Sequence, residues 1–86
     1  MLDNFRKDID KIDEQIVKLI AKRIAIVKKI GAFKKQNNLP IVDSNRFQDV
    51  LCKVKNYAIK YNISPVFIED IYKKTHQYMC EIEKKR

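Results

Sequence analysis

An unbroken helical pattern covers the first part of the chain and strongly limits the folds it can adopt. From Leu2 to about Asn37, apolar residues recur every three or four positions, and no proline interrupts them. A helix of about 36 residues is roughly 54 Å long, about twice the diameter of a compact domain of this size. Part of this helix must therefore extend beyond the rest of the chain.

The apolar stripe of this helix continues over nearly its whole length, so two shorter helices of the same chain cannot cover it. A second copy of the chain is the simplest way to bury the remainder. The sequence therefore predicts a homodimer. The stripe consists of Phe5, Ile9, Ile12, Ile16, Leu19, Ile20, Val27 and Ile30.

Two further helices are predicted after the Asn-rich stop, which gives an all-α fold of three helices in a single domain, residues 1–86. Asp43 or Ser44 suits the N-cap of a helix that runs toward Asn62. Ser64 suits the N-cap of the last helix, with Pro65 at its first position. The expected buried face of this helix is Phe67, Ile68, Ile71, Tyr72, Thr75, Met79 and Ile82.

The charge and the cysteines narrow the function classes. Lys and Arg number 19 against 11 Asp and Glu, so the net charge of +8 should attract anions, whether nucleic acid, an acidic membrane surface or a small polyanion. The alternative is a basic solvated face with no partner. Cys52, Cys80 and His76 lack metal-ligand or disulfide spacing, so no metal is expected. No apolar run is long enough for a membrane span, and Met1–Lys11 lacks the apolar segment of a leader, which predicts a cytoplasmic protein.

Two cations stand where the first helix should present apolar residues. Arg23 interrupts the stripe, and Lys34 continues the same row about 16 Å further along, so both can reach one small anion. The alternative is that Arg23 extends to solvent at the edge of the stripe and that Lys34 lies beyond the packed region. Arg6 lies about 100° around the helix from Arg23, so it could serve the same pocket only from the other chain of a twofold dimer.

Eight residues in order and spacing resemble the all-helical chorismate mutase family. The resemblance implies an intertwined dimer of three-helix chains with two equivalent sites. It also implies a monofunctional enzyme that converts chorismate to prephenate for aromatic amino acid biosynthesis, without metal or cofactor. The eight residues are Arg6, Asp13, Arg23, Gly31, Lys34, Pro40, Asp43 and Arg46.

The resemblance also implies a role for each cationic residue. Arg23 and Arg46 of one chain, with Arg6 of the other, would hold the two carboxylates of the substrate. Lys34 would hydrogen-bond the ether oxygen, where negative charge grows as the C–O bond breaks. Asp43 would bind the ring hydroxyl.

The sequence departs from the family at three positions of the pocket. Phe47 stands where the family usually has a hydroxyl-binding glutamate, and it is either a core residue or a sign of a changed ring substituent. Met79 replaces a carboxylate-binding serine. Glu83 replaces a glutamine that donates to the ether oxygen, unless it is a frayed surface residue near the chain end. A carboxyl group donates only when protonated, so activity is expected to rise toward mildly acidic pH.

Three other functions compete with the mutase. Isochorismate-pyruvate lyase shares the resemblance and also lacks the glutamate at the position of Phe47, whereas the presence of Asp43 favours the mutase. A mutase acting on 4-amino-4-deoxychorismate is a third enzyme of this type. A basic dimeric nucleic-acid-binding or coiled-coil module is the non-enzymatic alternative, but it is disfavoured because Arg23 interrupts an apolar face.

Overall fold

The computed structural model describes residues 1–41 and 43–84, and these form three α-helices. Helix α1 comprises Leu2–Gln36, α2 comprises Ser44–Lys60 and α3 comprises Pro65–Lys84. The predicted all-α fold with one very long first helix is therefore confirmed. The helix bounds differ from the predicted ones by one or two residues at the C-terminal ends of α1 and α2.

Side-chain caps determine where α2 and α3 begin. Asp43 Oδ1 accepts a hydrogen bond from the Arg46 backbone N–H at 3.0 Å, so Asp43 is the N-cap of α2. Ser64 Oγ accepts one from the Phe67 backbone N–H at 3.2 Å, and Pro65 begins α3. Both predicted N-termini are confirmed.

Asparagine residues with positive φ follow the C-terminal ends of α1 and α2. Asn38 has φ 54° and Asn62 has φ 59°, a left-handed conformation that asparagine tolerates better than most residues. The Ile63 backbone N–H then donates to the Ala58 carbonyl at 2.8 Å. These turns end each helix within a few residues and return the chain toward its neighbour.

Helix α3 packs against both other helices, and within the described residues α1 and α2 do not pack directly on one another. The core is small, because only a few apolar side chains are buried along these contacts. An ion pair of 2.6 Å between Lys55 and Glu69 also joins α2 to α3. The buried apolar residues are Val27, Leu51, Val54, Ala58 and Met79.

The N-terminal part of α1 extends away from the rest of the chain. The molecule measures 55 × 24 × 16 Å, and its long dimension matches the length of a 35-residue helix. Apolar side chains on this part of α1 are about half exposed, such as Ile12 at 50% and Ile16 at 49%. No described residue covers this N-terminal part of the stripe, as the sequence predicted.

The predicted buried face of α3 is wrong at two positions. Phe67 is 56% exposed and Ile71 is 41% exposed, whereas Met79 is buried. These two residues line an open groove that Ile20 of α1 borders, so a single chain leaves them open to solvent. Among the described residues, no helix combines the length and apolar composition needed to cross a membrane.

Candidate functional site

A cavity of about 320 Å³ lies between the C-terminal half of α1, the start of α2 and the C-terminal half of α3. It contains seven of the eight site residues that were predicted from the sequence, as well as Tyr72, His76 and Cys80. The seven predicted residues are Arg23, Lys34, Asp43, Arg46, Phe47, Met79 and Glu83.

Lys34 is fixed by two hydrogen bonds at one end of the cavity. Its Nζ donates to the Ile41 carbonyl at 2.7 Å and to Glu83 Oε2 at 3.2 Å. The Lys34 and Glu83 side chains are 18% and 11% exposed. Glu83 is therefore a cavity residue and not a frayed surface residue. An ammonium group has three donors, so Lys34 retains one for a ligand.

Gly31 lies where α1 and α3 meet beside this ion pair. A Cβ atom placed on Gly31 would be 3.5 Å from Glu83 Cγ, which is an ordinary van der Waals distance. The close approach of the helices brings Glu83 to Lys34 across the helix interface. The ion pair between Lys34 and Glu83 therefore depends on the register of α3 against α1.

Arg23 brings a positive charge to the cavity without a neighbouring carboxylate. Its guanidinium carbon lies 5.8 Å from the centre of the Tyr72 ring, within the range of a cation–π interaction. Among the described residues, no Asp or Glu forms a salt bridge with it. The Arg23 residue is half-buried, so an anionic ligand would provide the missing partner.

Asp43 and Arg46 lie at the N-terminus of α2, at the mouth of the cavity, and both are exposed. One oxygen of Asp43 is occupied by the cap, since Oδ1 accepts from the Arg46 backbone N–H. The Arg46 guanidinium has no carboxylate partner among the described residues. It can therefore turn toward an anion, and the positive end of the α2 dipole favours the same charge.

The wall between α2 and α3 contains a stacked pair that the sequence did not predict. The rings of Phe47 and His76 are nearly parallel, with centroids 3.8 Å apart and an interplanar angle of 13°. Cys80 Sγ lies 3.5 Å from His76 Nε2 and 3.9 Å from Nδ1. Burial, followed by the positive charge of Arg23, lowers the pKa of His76, so its imidazole is neutral at pH 7.

The helical spacing of α3 contained a signal for this wall. Tyr72, His76, Cys80 and Glu83 follow one another at intervals of four, four and three residues, which places them on one face of a helix. Glu83 was assigned to the pocket, so the same face could have brought His76 into consideration. Its stacking on Phe47 had no sequence signal.

Arg6 does not line the cavity. It precedes Arg23 by 17 residues on the same straight helix, a separation of about 25 Å along the axis. The described chain thus brings together all of the predicted site residues except the one that was expected to come from a second chain. Among residues 1–41 and 43–84, no three His, Cys, Asp or Glu side chains form a group that could hold a metal.

An open groove of about 690 Å³ lies on the other side of α3. Ile20 of α1 and several residues of α3 line it, including Phe67 and Ile71, the two that were wrongly predicted to be buried. Met79 lines both the groove and the cavity. The groove continues the uncovered apolar stripe of α1.

Comparisons with known proteins connect this geometry to one family. The family model described as "Chorismate mutase type II" matches residues 5–84. The chain is 32% identical over 83 residues to the "Chorismate mutase" of Methanocaldococcus jannaschii, which covers 96% of this chain and 80% of that protein. It is 34% identical over 73 residues to the "T-protein" of Haemophilus influenzae, across 85% of this chain.

A relative with a different named substrate also matches. The chain is 26% identical over 82 residues to the "4-amino-4-deoxychorismate mutase" of Streptomyces pristinaespiralis, across 95% of this chain and 64% of that protein. The chain spans only 19% of the length of the Haemophilus T-protein. No solved structure matches the chain significantly.

Proposed function

Because the chain belongs to the chorismate mutase type II family, we propose that it converts chorismate to prephenate. The observation that carries this proposal is the cavity of about 320 Å³ with Arg23, Lys34 and Arg46 on its lining. Its positive charge and size suit a small dianion. The reaction is a pericyclic rearrangement, in which one C–C bond forms as one C–O bond breaks, and it needs no proton transfer.

Arginines would restrain the substrate in the compact conformation that reacts. Arg23 and Arg46 lie on different helices, so each can bind a carboxylate from its own side of the cavity. The planar guanidinium binds a carboxylate through two hydrogen bonds and so fixes its orientation. Holding a flexible dianion in its reactive conformation removes part of the entropic barrier.

Lys34 and Glu83 would act on the breaking C–O bond. The Ile41 carbonyl and Glu83 hold the Lys34 ammonium in place, so its remaining donor is already oriented before a substrate enters. Negative charge grows on the ether oxygen in the transition state, and an oriented cation stabilises it. Asp43 would bind the ring hydroxyl with the oxygen that the α2 cap leaves available.

The active unit would be an intertwined homodimer in which Arg6 of a second copy completes the site. The exposed stripe of α1 and the groove along α3 support this, because both are apolar and adjoining. A second α1 laid along the stripe would bring its own N-terminal part toward the cavity of the first chain. We place this dimer in the cytoplasm, which cell fractionation would test.

The direct test is turnover of purified protein with chorismate. Loss of chorismate and formation of prephenate, identified by mass spectrometry, are expected. Isochorismate is the necessary second substrate, because Phe47 occupies the position of the family glutamate and the lyase would release salicylate. Salicylate formation without prephenate would assign the lyase reaction, and turnover of neither compound would refute the proposed function.

A further inference from the structure

The turn that follows α1 is hydrogen-bonded to Lys34 at two points. The Lys34 backbone carbonyl accepts a hydrogen bond from the Leu39 N–H at 2.8 Å, and Lys34 Nζ donates to the Ile41 carbonyl at 2.7 Å. Glu83, at 3.2 Å, is the more distant of the two partners of this ammonium group. The direction of the donor that remains for a ligand therefore depends on where the turn places the Ile41 carbonyl.

The path of this turn is determined at Asn38. Its φ of 54° is left-handed, and this conformation reverses the chain so that the next N–H, that of Leu39, points back to the last turn of α1. Pro40 then restricts both its own φ and the conformation of Leu39. Because only a short, stiff segment separates Asn38 from Ile41, the backbone conformation of Asn38 controls the position of the Ile41 carbonyl.

Asn38 itself lies outside the cavity. It is exposed and does not contribute to the cavity lining, so it does not touch a substrate bound there. Most residues with a Cβ avoid the left-handed region, whereas Gly enters it freely and Asn tolerates it. Any effect of Asn38 on the reaction must therefore pass through its backbone conformation and through Lys34.

The turn after α2 has the same backbone pattern but no connection to Lys34. Asn62 has φ 59° and is exposed, and the next N–H, that of Ile63, donates to the Ala58 carbonyl at 2.8 Å. Ala58 takes the place that Lys34 has in the first turn, and its methyl group has no donor. None of these three residues of the second turn lines the cavity. The two turns are thus alike in backbone, but only the first is bonded to a side chain of the cavity.

We propose that the left-handed turn at Asn38 positions the Lys34 ammonium group for the ether oxygen of the substrate. This inference rests on the proposed function and makes Asn38 a positioning residue. The ether oxygen gains its negative charge in the transition state, so a misdirected ammonium group lowers kcat more than it raises KM. Among the described residues, neither the Arg23 nor the Arg46 side chain is hydrogen-bonded to this turn, so binding of the carboxylates should change little.

The test compares kcat and KM for chorismate in the full-length protein and three variants. Asn38→Val places a β-branched residue in the left-handed region, so the turn should shift, and kcat should fall about 10- to 100-fold while KM changes less than about threefold. Asn38→Gly keeps the left-handed conformation, and its kcat should stay within about twofold of the wild type. Asn62→Val is the matched control, because it should lower Tm by about 4 to 16 °C, as Asn38→Val does, yet change kcat less than about twofold.

The Lys34 ammonium group also gives a readout that does not depend on turnover. Hydrogen bonds slow the exchange of its protons with water, so it should give a nitrogen NMR signal that a fully solvated lysine loses. The signal that is absent from Lys34→Arg identifies Lys34. It should weaken in Asn38→Val and persist in Asn38→Gly and in Asn62→Val.

The outcomes separate the inference from the proposed function. If the wild type does not convert chorismate, the proposed function is refuted, and the NMR signal still decides whether the turn at Asn38 holds Lys34. If the wild type is active, the inference alone is overturned by an unchanged kcat or an unchanged Lys34 signal in folded Asn38→Val, or by an equal loss of kcat in Asn62→Val. Circular dichroism identifies a variant that does not fold, and Asn38→Ala, with a smaller backbone penalty, then replaces Asn38→Val.

Discussion

Removal of the Arg23 side chain should separate catalysis from folding. The Arg23 guanidinium lies over the Tyr72 ring and forms no salt bridge with a described Asp or Glu. Most of its interaction energy is therefore available for a ligand. Arg23→Ala is expected to abolish most of the activity while the helical structure remains.

The expected loss follows from the contacts that Arg23 would make. Two charge-assisted hydrogen bonds to one carboxylate contribute about 3 to 6 kcal/mol together. At about 1.4 kcal/mol for each factor of ten, kcat/KM should fall by about 10² to 10⁴. Loss of the contact with Tyr72 costs about 1 kcal/mol, so Tm should decrease by less than about 8 °C.

Continuous measurement of chorismate loss, with thermal unfolding of the same samples, checks both numbers. Lys22→Ala is the matched control, because it removes the same charge from the adjacent, exposed position of α1. Its activity should stay within about twofold of the wild type. A folded Arg23→Ala variant that retained more than about a tenth of the wild-type kcat/KM would refute the assigned role.

Three further variants test the neighbouring contacts. Glu83→Gln should raise kcat/KM for chorismate by about tenfold, because an amide can donate a hydrogen bond to the ether oxygen whereas a carboxylate only accepts; an unchanged kcat/KM would contradict a position of Glu83 beside that oxygen. Gly31→Ala should raise Tm by about 4 to 8 °C, because Ala favours a helix by about 1 kcal/mol relative to Gly. The added Cβ would lie 3.5 Å from Glu83 Cγ, an ordinary contact distance. A lower Tm would show that the interface between α1 and α3 cannot accommodate the added methyl group. Because the pKa of His76 is lowered in the folded protein, the unfolded chain binds a proton at His76 more readily than the folded protein does. The stability that neutral His76 contributes is therefore present above its ordinary pKa of 6.5, and it is lost as the pH falls through the lower pKa of the folded state. Tm should accordingly fall more steeply below about pH 6.5 in the wild type than in His76→Phe, and equal slopes would be the contrary result.

Local sequence signals were sufficient to predict the three helices. The apolar period of α1, the Asp43 cap and the Ser64-Pro65 start act within a few residues of the chain, and all three are confirmed. The wrong positions, Phe67 and Ile71, are apolar residues on a helical face that a single chain does not cover. Periodicity shows that such a face is apolar, but it does not show which surface packs on it.

The site was less predictable, because its contacts join distant parts of the chain. Lys34 and Glu83 are 49 residues apart, and their ion pair depends on the register of α3 against α1. Phe47 and His76 stack because α2 and α3 bring two particular turns together, which no local pattern encodes. The family resemblance aligns Glu83 with a pocket residue of the family, but it indicates no pocket role for His76.

A mixed-dimer measurement tests most directly the claim that two chains build each site. Arg6→Ala and Arg23→Ala proteins, each nearly inactive alone, are unfolded together in equal amounts and refolded. If Arg6 crosses to the cavity that contains the partner's Arg23, each mixed dimer has one intact site, and the mixture should recover about a quarter of the wild-type activity. Activity no higher than that of the two separate variants would contradict the shared site.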